Sequence, residues 1–200
     1  MKKLSVNEAK AMLIKAEKLS PGPWAAHCFS AAENAKCIAE KCGDMDSDTA
    51  YVMGLMHDIG RREGFKYILH LFDGYDYLTA LEYNDVARIC LTHSFPTADI
   101  NAFYGKIDCS AEQYEFLKNY LTNIQFDDYD RLIQLCDAIS LPQGAVLMEK
   151  RFVDVAFRHG LPDFTLNNWK AFFKLKEYFD EKAGCNIYGI LPQVVENTFC

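Results

Sequence analysis

Apolar residues recur at helical spacing along nearly all of this 200-residue chain, and strand-like alternation bounded by hairpin turns is missing. A sequence that offers its apolar surface as helix stripes must pack helix against helix. The expected fold class is therefore all-α, a helical bundle. No composition break, Gly/Ser linker, Pro-rich stretch or internal repeat divides the chain. Residues 1–200 read as a single domain, with a core at about 24–140 and a C-terminal helical extension at about 145–200.

Helix ends are marked by capping chemistry. Ser5 with Glu8 forms a capping-box pattern that opens a helix to about residue 19, and Pro21-Gly22-Pro23 breaks it. A second helix is expected over 24–42, stopped by Gly43. Its face of Cys28, Ala31, Ala32, Ala35, Ile38, Ala39 and Cys42 is small enough for a neighbour to come close. Asp46, Ser47 and Asp48 offer N-caps for a third helix that ends at His57-Asp58, with Gly60 just beyond. Shorter helices are expected over 65–72, 75–83 and 85–93. Residues 94–109 read as a long loop, and Phe95, Phe103, Tyr104 and Lys106 make it the region for substrate contacts. Ser110 with Gln113 opens a helix to about 124, and Asp127 or Asp128 starts the next, stopped by Pro142. Helices over 146–159 and 166–183 end in Gly160 and Gly184.

Composition excludes several classes. Half the residues are hydrophobic and about a quarter charged, which is globular rather than disordered. Glu8, Lys10 and Lys15 interrupt any signal-like apolar run, and no window nears the roughly 18 apolar residues of a membrane span. The expectation is a cytoplasmic protein without a membrane partner. Eight cysteines with no CxxC pair read as reduced core residues, not a disulfide framework or zinc ribbon. A net charge of -7 argues against a nucleic-acid polymer, whereas a small phosphorylated substrate needs only one or two local cations.

The chemistry gathers around GLMHDIG, residues 54–60, where His57 and Asp58 end an apolar segment and an uncompensated charge is costly. Four of the five histidines, His27, His57, His70 and His93, fall in the first half at positions that helical periodicity aims inward. Asp137 sits inside the apolar helix LIQLCDAIS. One inward histidine is more often a hydrogen-bonded core residue than a ligand. Several imidazoles and two carboxylates together relieve each other's desolvation if a divalent cation sits among them.

The series His27, His57-Asp58 and Asp137, with the stretch HCFSAAENAKCIAEKCGDMDSDTAYVMGLMHDIG, resembles the HD-domain superfamily of metal-dependent phosphohydrolases, named for its adjacent His-Asp. The resemblance covers roughly 24–140. It implies that His27, His57, Asp58 and Asp137 hold one metal, and that Asp58 bridges to a second held by His70 in HLFDGYDYL and His93 in ICLTHSF. The interval from His57 to His70 is short for that family. One or two divalent ions, iron, manganese or another transition metal, are the implied cofactors. Such a pair would lower the pKa of a water between them to give a hydroxide nucleophile for attack on phosphorus, with Asp58 at the centre of catalysis. Arg61 occupies the place where many relatives carry a Lys or Arg, and Arg61, Arg62 and Lys66 are the candidates to bind substrate phosphate, Arg61 with a catalytic share. For the two arginines the alternative is a solvated helix end.

Other features read as structural. His159 is taken for an exposed last-turn residue, and Cys28 and Cys136 for core packing. The run Trp169, Phe172, Phe173, Leu175, Tyr178, Phe179 is a packing face, with a homodimer surface as its alternative. The function expected is hydrolysis of a phosphate ester or phosphoanhydride of a nucleotide-like small molecule, with arginines in EKRFVDVAFRHG within reach of polyphosphate. A di-iron oxygenase cleaving a C–C or C–P bond shares the same ligand set and is the alternative.

Overall fold

In the computed structural model, which describes residues 2–199, ten α-helices and one two-stranded hairpin follow each other in chain order. Helix α1 (Val6–Leu19) begins with the full capping box, Ser5 and Glu8 each bonding the other's backbone. Helix α2 (Trp24–Cys42) ends on Gly43 in the left-handed region at φ 79°. Helix α3 (Ser47–Met56) is capped by Asp46 and lies against α2 so closely that a Cβ on Gly54 would sit 2.5 Å from Ala32 Cα. The small-residue face of α2 is what permits this approach.

Beyond α3 the chain tightens into a 3-10 turn, Ile59–Glu63, that leads to α4 (Leu69–Ala80) and α5 (Asn84–Thr92). Here the structure corrects the sequence reading. The two expected segments 65–72 and 75–83 are one helix that starts later, at Leu69. Gly74 does not break it, because this glycine is where α4 meets α5: its Cβ would lie 2.8 Å from Cys90 Sγ.

The 94–109 segment is a loop carrying a single 3-10 turn, Ile100–Ala102. It is followed by α6 (Ala111–Asn123) with the Ser110/Gln113 capping box, and by α7 (Asp128–Ala138) capped by Asp127. α7 stops at Ala138 rather than at Pro142. The chain then makes a two-residue antiparallel hairpin, β1 (Ser140–Leu141) with β2 (Gly144–Ala145), whose turn contains Pro142 and which the sequence reading lacked. Helices α8 (Met148–His159), α9 (Thr165–Ala183) and α10 (Val194–Phe199) complete the chain.

Three apolar clusters hold these helices. One joins α2, α7 and α9 around Ile38, Leu132 and Phe179; a second joins α1, α2 and α3 around Leu13, Cys28 and Leu55. A third packs the start of α4 on the loop and α6 through Leu71, Phe95 and Leu117. The seven described cysteines are all free.

Candidate metal centre

Five helix ends deliver the histidines and carboxylates to one place. His27 lies one turn into α2, His57 caps the end of α3, Asp58 opens the following 3-10 turn, His70 is in the first turn of α4, and His93 caps the end of α5. Asp137 comes from the last turn of α7. His27, His57, Asp58, His70 and His93 are all buried, and the His57 ring meets those of His93 and His27 edge on, with centroids 4.9 Å and 5.2 Å away.

The orientation of three imidazoles is fixed from behind. His57 Nδ1 lies 2.7 Å from Gly54 O, His93 Nδ1 3.0 Å from Ile89 O, and His70 Nδ1 against Tyr67 O. A carbonyl oxygen only accepts, so each Nδ1 carries the proton and each neutral Nε2 presents a lone pair. Those lone pairs are aimed at Asp58: His70 Nε2 is 2.9 Å and His93 Nε2 3.6 Å from Oδ1, and His57 Nε2 is 3.9 Å from Oδ2. Acceptor faces acceptor, and both His57 Nε2 and Asp58 Oδ1 are buried without a hydrogen-bond partner. A cation among them removes that conflict. The donor set therefore fits a divalent metal.

The ligand atoms form two overlapping trios, His27 with His57 and Asp58, and Asp58 with His70 and His93, each within 4.8 Å. Asp58 is the shared member. Asp137 belongs to neither trio and reaches the centre through His27, whose Nε2 is 2.9 Å from Asp137 Oδ1.

Burial and neighbouring charge act on the two carboxylates and on His27 and His93. Burial works to raise the Asp58 carboxyl, but the Arg61 guanidinium beside it keeps it well below the usual carboxylate range. Burial of Asp137 is likewise outweighed by the His27 hydrogen bond and nearby positive charge, so its carboxyl is lowered. Burial pushes His93 down to about 3 and lowers His27 against the pull of Asp137. Carboxylates ionised and imidazoles neutral are the forms that ligate metals.

Of the basic candidates, Arg61 joins the centre: its Nε donates to Asp58 Oδ2 at 2.5 Å, and Nη2 lies 3.4 Å from His70 Nε2. Arg62 stacks on Tyr77, 4.0 Å from the ring centroid, and pairs with Glu63, while Lys66 pairs with Asp73 at 2.7 Å. Neither of those two lines the cavity that opens over the centre.

That cavity holds about 600 Å³ and exposes His27, Asp58, His70, His93 and Asp137 at its base. From the loop, Phe103 and Tyr104 form part of its wall, while Phe95 is core and Lys106 lies over Tyr67. The opposite wall is α8 and α9. His159, read from sequence as an exposed helix end, is half-buried and lines this wall with Arg151 and Arg158. Trp169 stacks on Phe152 at 3° between ring planes and also faces the cavity, so the aromatic run serves packing and lining at once. The Cys28 and Cys136 thiols are pushed well above their ordinary range by burial, which agrees with packing roles.

Among known families, the HD-domain model matches residues 24–141. No curated protein and no solved structure matches the chain.

Proposed function

Because this chain belongs to the HD-domain family, whose members are in general metal-dependent hydrolases, we propose that it is a phosphohydrolase acting on a small nucleotide-like phosphate ester or phosphoanhydride. The observation that carries this reading is the set of histidine lone pairs turned on the buried, ionised Asp58, with Arg61 beside it.

Divalent ions held by His27, His57, Asp58, His70, His93 and Asp137 would supply Lewis-acid charge and acidify an attacking water. The protein's own part is positional. The Nδ1 bonds to Gly54, Tyr67 and Ile89 keep the rings from turning, so the ligand set is preorganised. Arg61 lines the cavity and has donors beyond the one used on Asp58, which suits it to hold a phosphoryl oxygen in the position where charge develops. The cavity is within the size range of small-molecule sites, and its aromatic walls suit a planar group.

Metal analysis of the purified protein, combined with a phosphate-ester panel assayed with added manganese, tests the proposal. About two ions per chain with phosphate release supports it. Iron with oxygen consumption and no phosphate release replaces hydrolysis by oxidative C–C or C–P cleavage, and a chain that binds no metal overturns the centre itself.

A further inference from the structure

Resting on the phosphohydrolase reading, we propose that the α8 wall of the cavity is a second anion subsite, and that the substrate carries a further phosphate beyond the one at the centre. Arg151, Asp154 and Arg158 recur at helical spacing on α8 and all line the cavity. A single oxygen, Asp154 Oδ2, accepts from Arg151 Nη1 at 3.0 Å and from Arg158 Nη2 at 2.8 Å. Arg151 Nη2 also lies 3.7 Å from Asp137 Oδ1, which joins this group to the centre.

Two guanidiniums thus share one carboxylate on this helix. Each has five N–H donors in a planar fork and spends one on Asp154, so most of that capacity is left for a ligand. The structure gives Arg158 no other partner among the described residues. Exposure of the side chain rises from 17% at Arg151 to 50% at Arg158, so the pair leads from the centre toward the mouth. In a chain of net charge -7, cations gathered on a cavity wall are a local feature, not a background one. The geometry suits a linear run of phosphates with one end at the centre and the other on the Arg158 fork.

The chain's two tryptophans, Trp24 and Trp169, both line this cavity, so intrinsic fluorescence reports its occupancy directly. Wild type and Arg158→Gln are titrated with orthophosphate, pyrophosphate and tripolyphosphate at a fixed free manganese concentration. The expected wild-type affinity rises about tenfold or more from orthophosphate to tripolyphosphate, the effect of one added charge-assisted contact, and Arg158→Gln abolishes most of that rise. Phe157→Ser, at a position on α8 that is 87% exposed and does not line the cavity, keeps the wild-type ladder. A flat wild-type ladder, or an unchanged one in Arg158→Gln, overturns the subsite. The two proposals separate cleanly: ester turnover without a ladder removes the subsite alone, and a ladder without any ester turnover removes the phosphohydrolase reading alone.

Discussion

Replacing Gly60 by alanine tests whether the centre depends on a backbone contact that no other residue tolerates. Gly60 lies in the 3-10 turn directly after the His57-Asp58 pair, and it faces the first turn of α4. An added Cβ there would collide with the His70 carbonyl oxygen and sit 2.5 Å from Gly74 N and 3.0 Å from His70 C. All three are backbone atoms, so no rotamer change relieves the clash. Ordinary carbon contacts need roughly 3.5 Å, so α4 must retreat by about 1 Å or more. Overpacking of this kind costs about 1–3 kcal/mol, and in a protein of this size about 2–4 °C of Tm follows each kcal/mol. The expected fall is thus about 2–12 °C.

The same shift carries His70 away from Asp58, where the Nε2–Oδ1 distance is 2.9 Å. A ligand set tolerates only about 0.2 Å of error, so Gly60→Ala should keep the His27/His57 ion and lose the His70/His93 one. Calorimetry and elemental analysis on the same sample read both effects. Gly189→Ala, with open space around the added methyl, is the control and should change neither. Full metal content together with wild-type Tm in Gly60→Ala would refute the reasoning.

Asp58→Ala should remove bound metal and activity together, since Asp58 belongs to both ligand trios; a variant with full metal content contradicts its shared role. The metal-free protein should lose stability as pH falls. His93 is held at about 3 against an ordinary 6.5, so between those values the unfolded chain takes up the extra proton, and His27, Asp58 and Asp137 are shifted in the same direction. The histidine contribution is therefore full above pH 6.5 and declines below it by up to about 1.4 kcal/mol per pH unit for each imidazole, while the two carboxylates add their decline only below their ordinary range of about 4. Asp130, raised by burial, opposes this near its own range, so denaturant midpoints between pH 7 and 5 give the clean reading, and a flat profile there contradicts it. Asp108 caps α4 by accepting from Tyr67 N at 2.8 Å and Leu69 N at 3.0 Å; Asp108→Ala should cost about 0.5–2 kcal/mol, measured by thermal unfolding, with no loss if the loop does not clamp α4.

Much of this arrangement is legible in the chain because it is local. The Ser5/Glu8 and Ser110/Gln113 boxes and the Gly43 stop are decided by residues three or four apart, and the structure has them where the spacing puts them. The inward aim of His27, His57, His70 and His93 follows from helical period alone. What local pattern does not carry is partnership across the fold. Gly74 falls between the two short helices expected over 65–72 and 75–83 and is instead a contact with Cys90 inside one helix; Arg62 and Lys66 look like neighbours of the centre and are drawn to Tyr77 and Asp73 instead. His159 looks exposed because its neighbours Arg158 and Gly160 are, yet it is half-buried on the cavity wall. The amphipathic spacing of Arg151, Asp154 and Arg158 was the available signal that α8 turns a charged face to the site.

Arg61 shows how the buried Asp58 carboxylate is tolerated, and the answer predicts how metal and arginine divide the work. Asp58 Oδ2 accepts from Arg61, whereas Oδ1 receives no donor and faces His70 and His93. An ion on the Oδ1 side therefore enters without displacing the guanidinium, and an ion on the His57 side competes with it for Oδ2. Arg61→Gln removes the countercharge but no ligand. Breaking a buried ion pair costs about 3–5 kcal/mol, and because the Arg61 side chain is 28% exposed the loss here should lie nearer 2 kcal/mol. That loss belongs to the metal-free protein. Added manganese supplies the missing positive charge, so its Tm gain should be larger in Arg61→Gln than in wild type, with metal stoichiometry unchanged and phosphate-ester turnover reduced. Loss of metal from Arg61→Gln would mean that the guanidinium orients Asp58 for the ions rather than substituting for them.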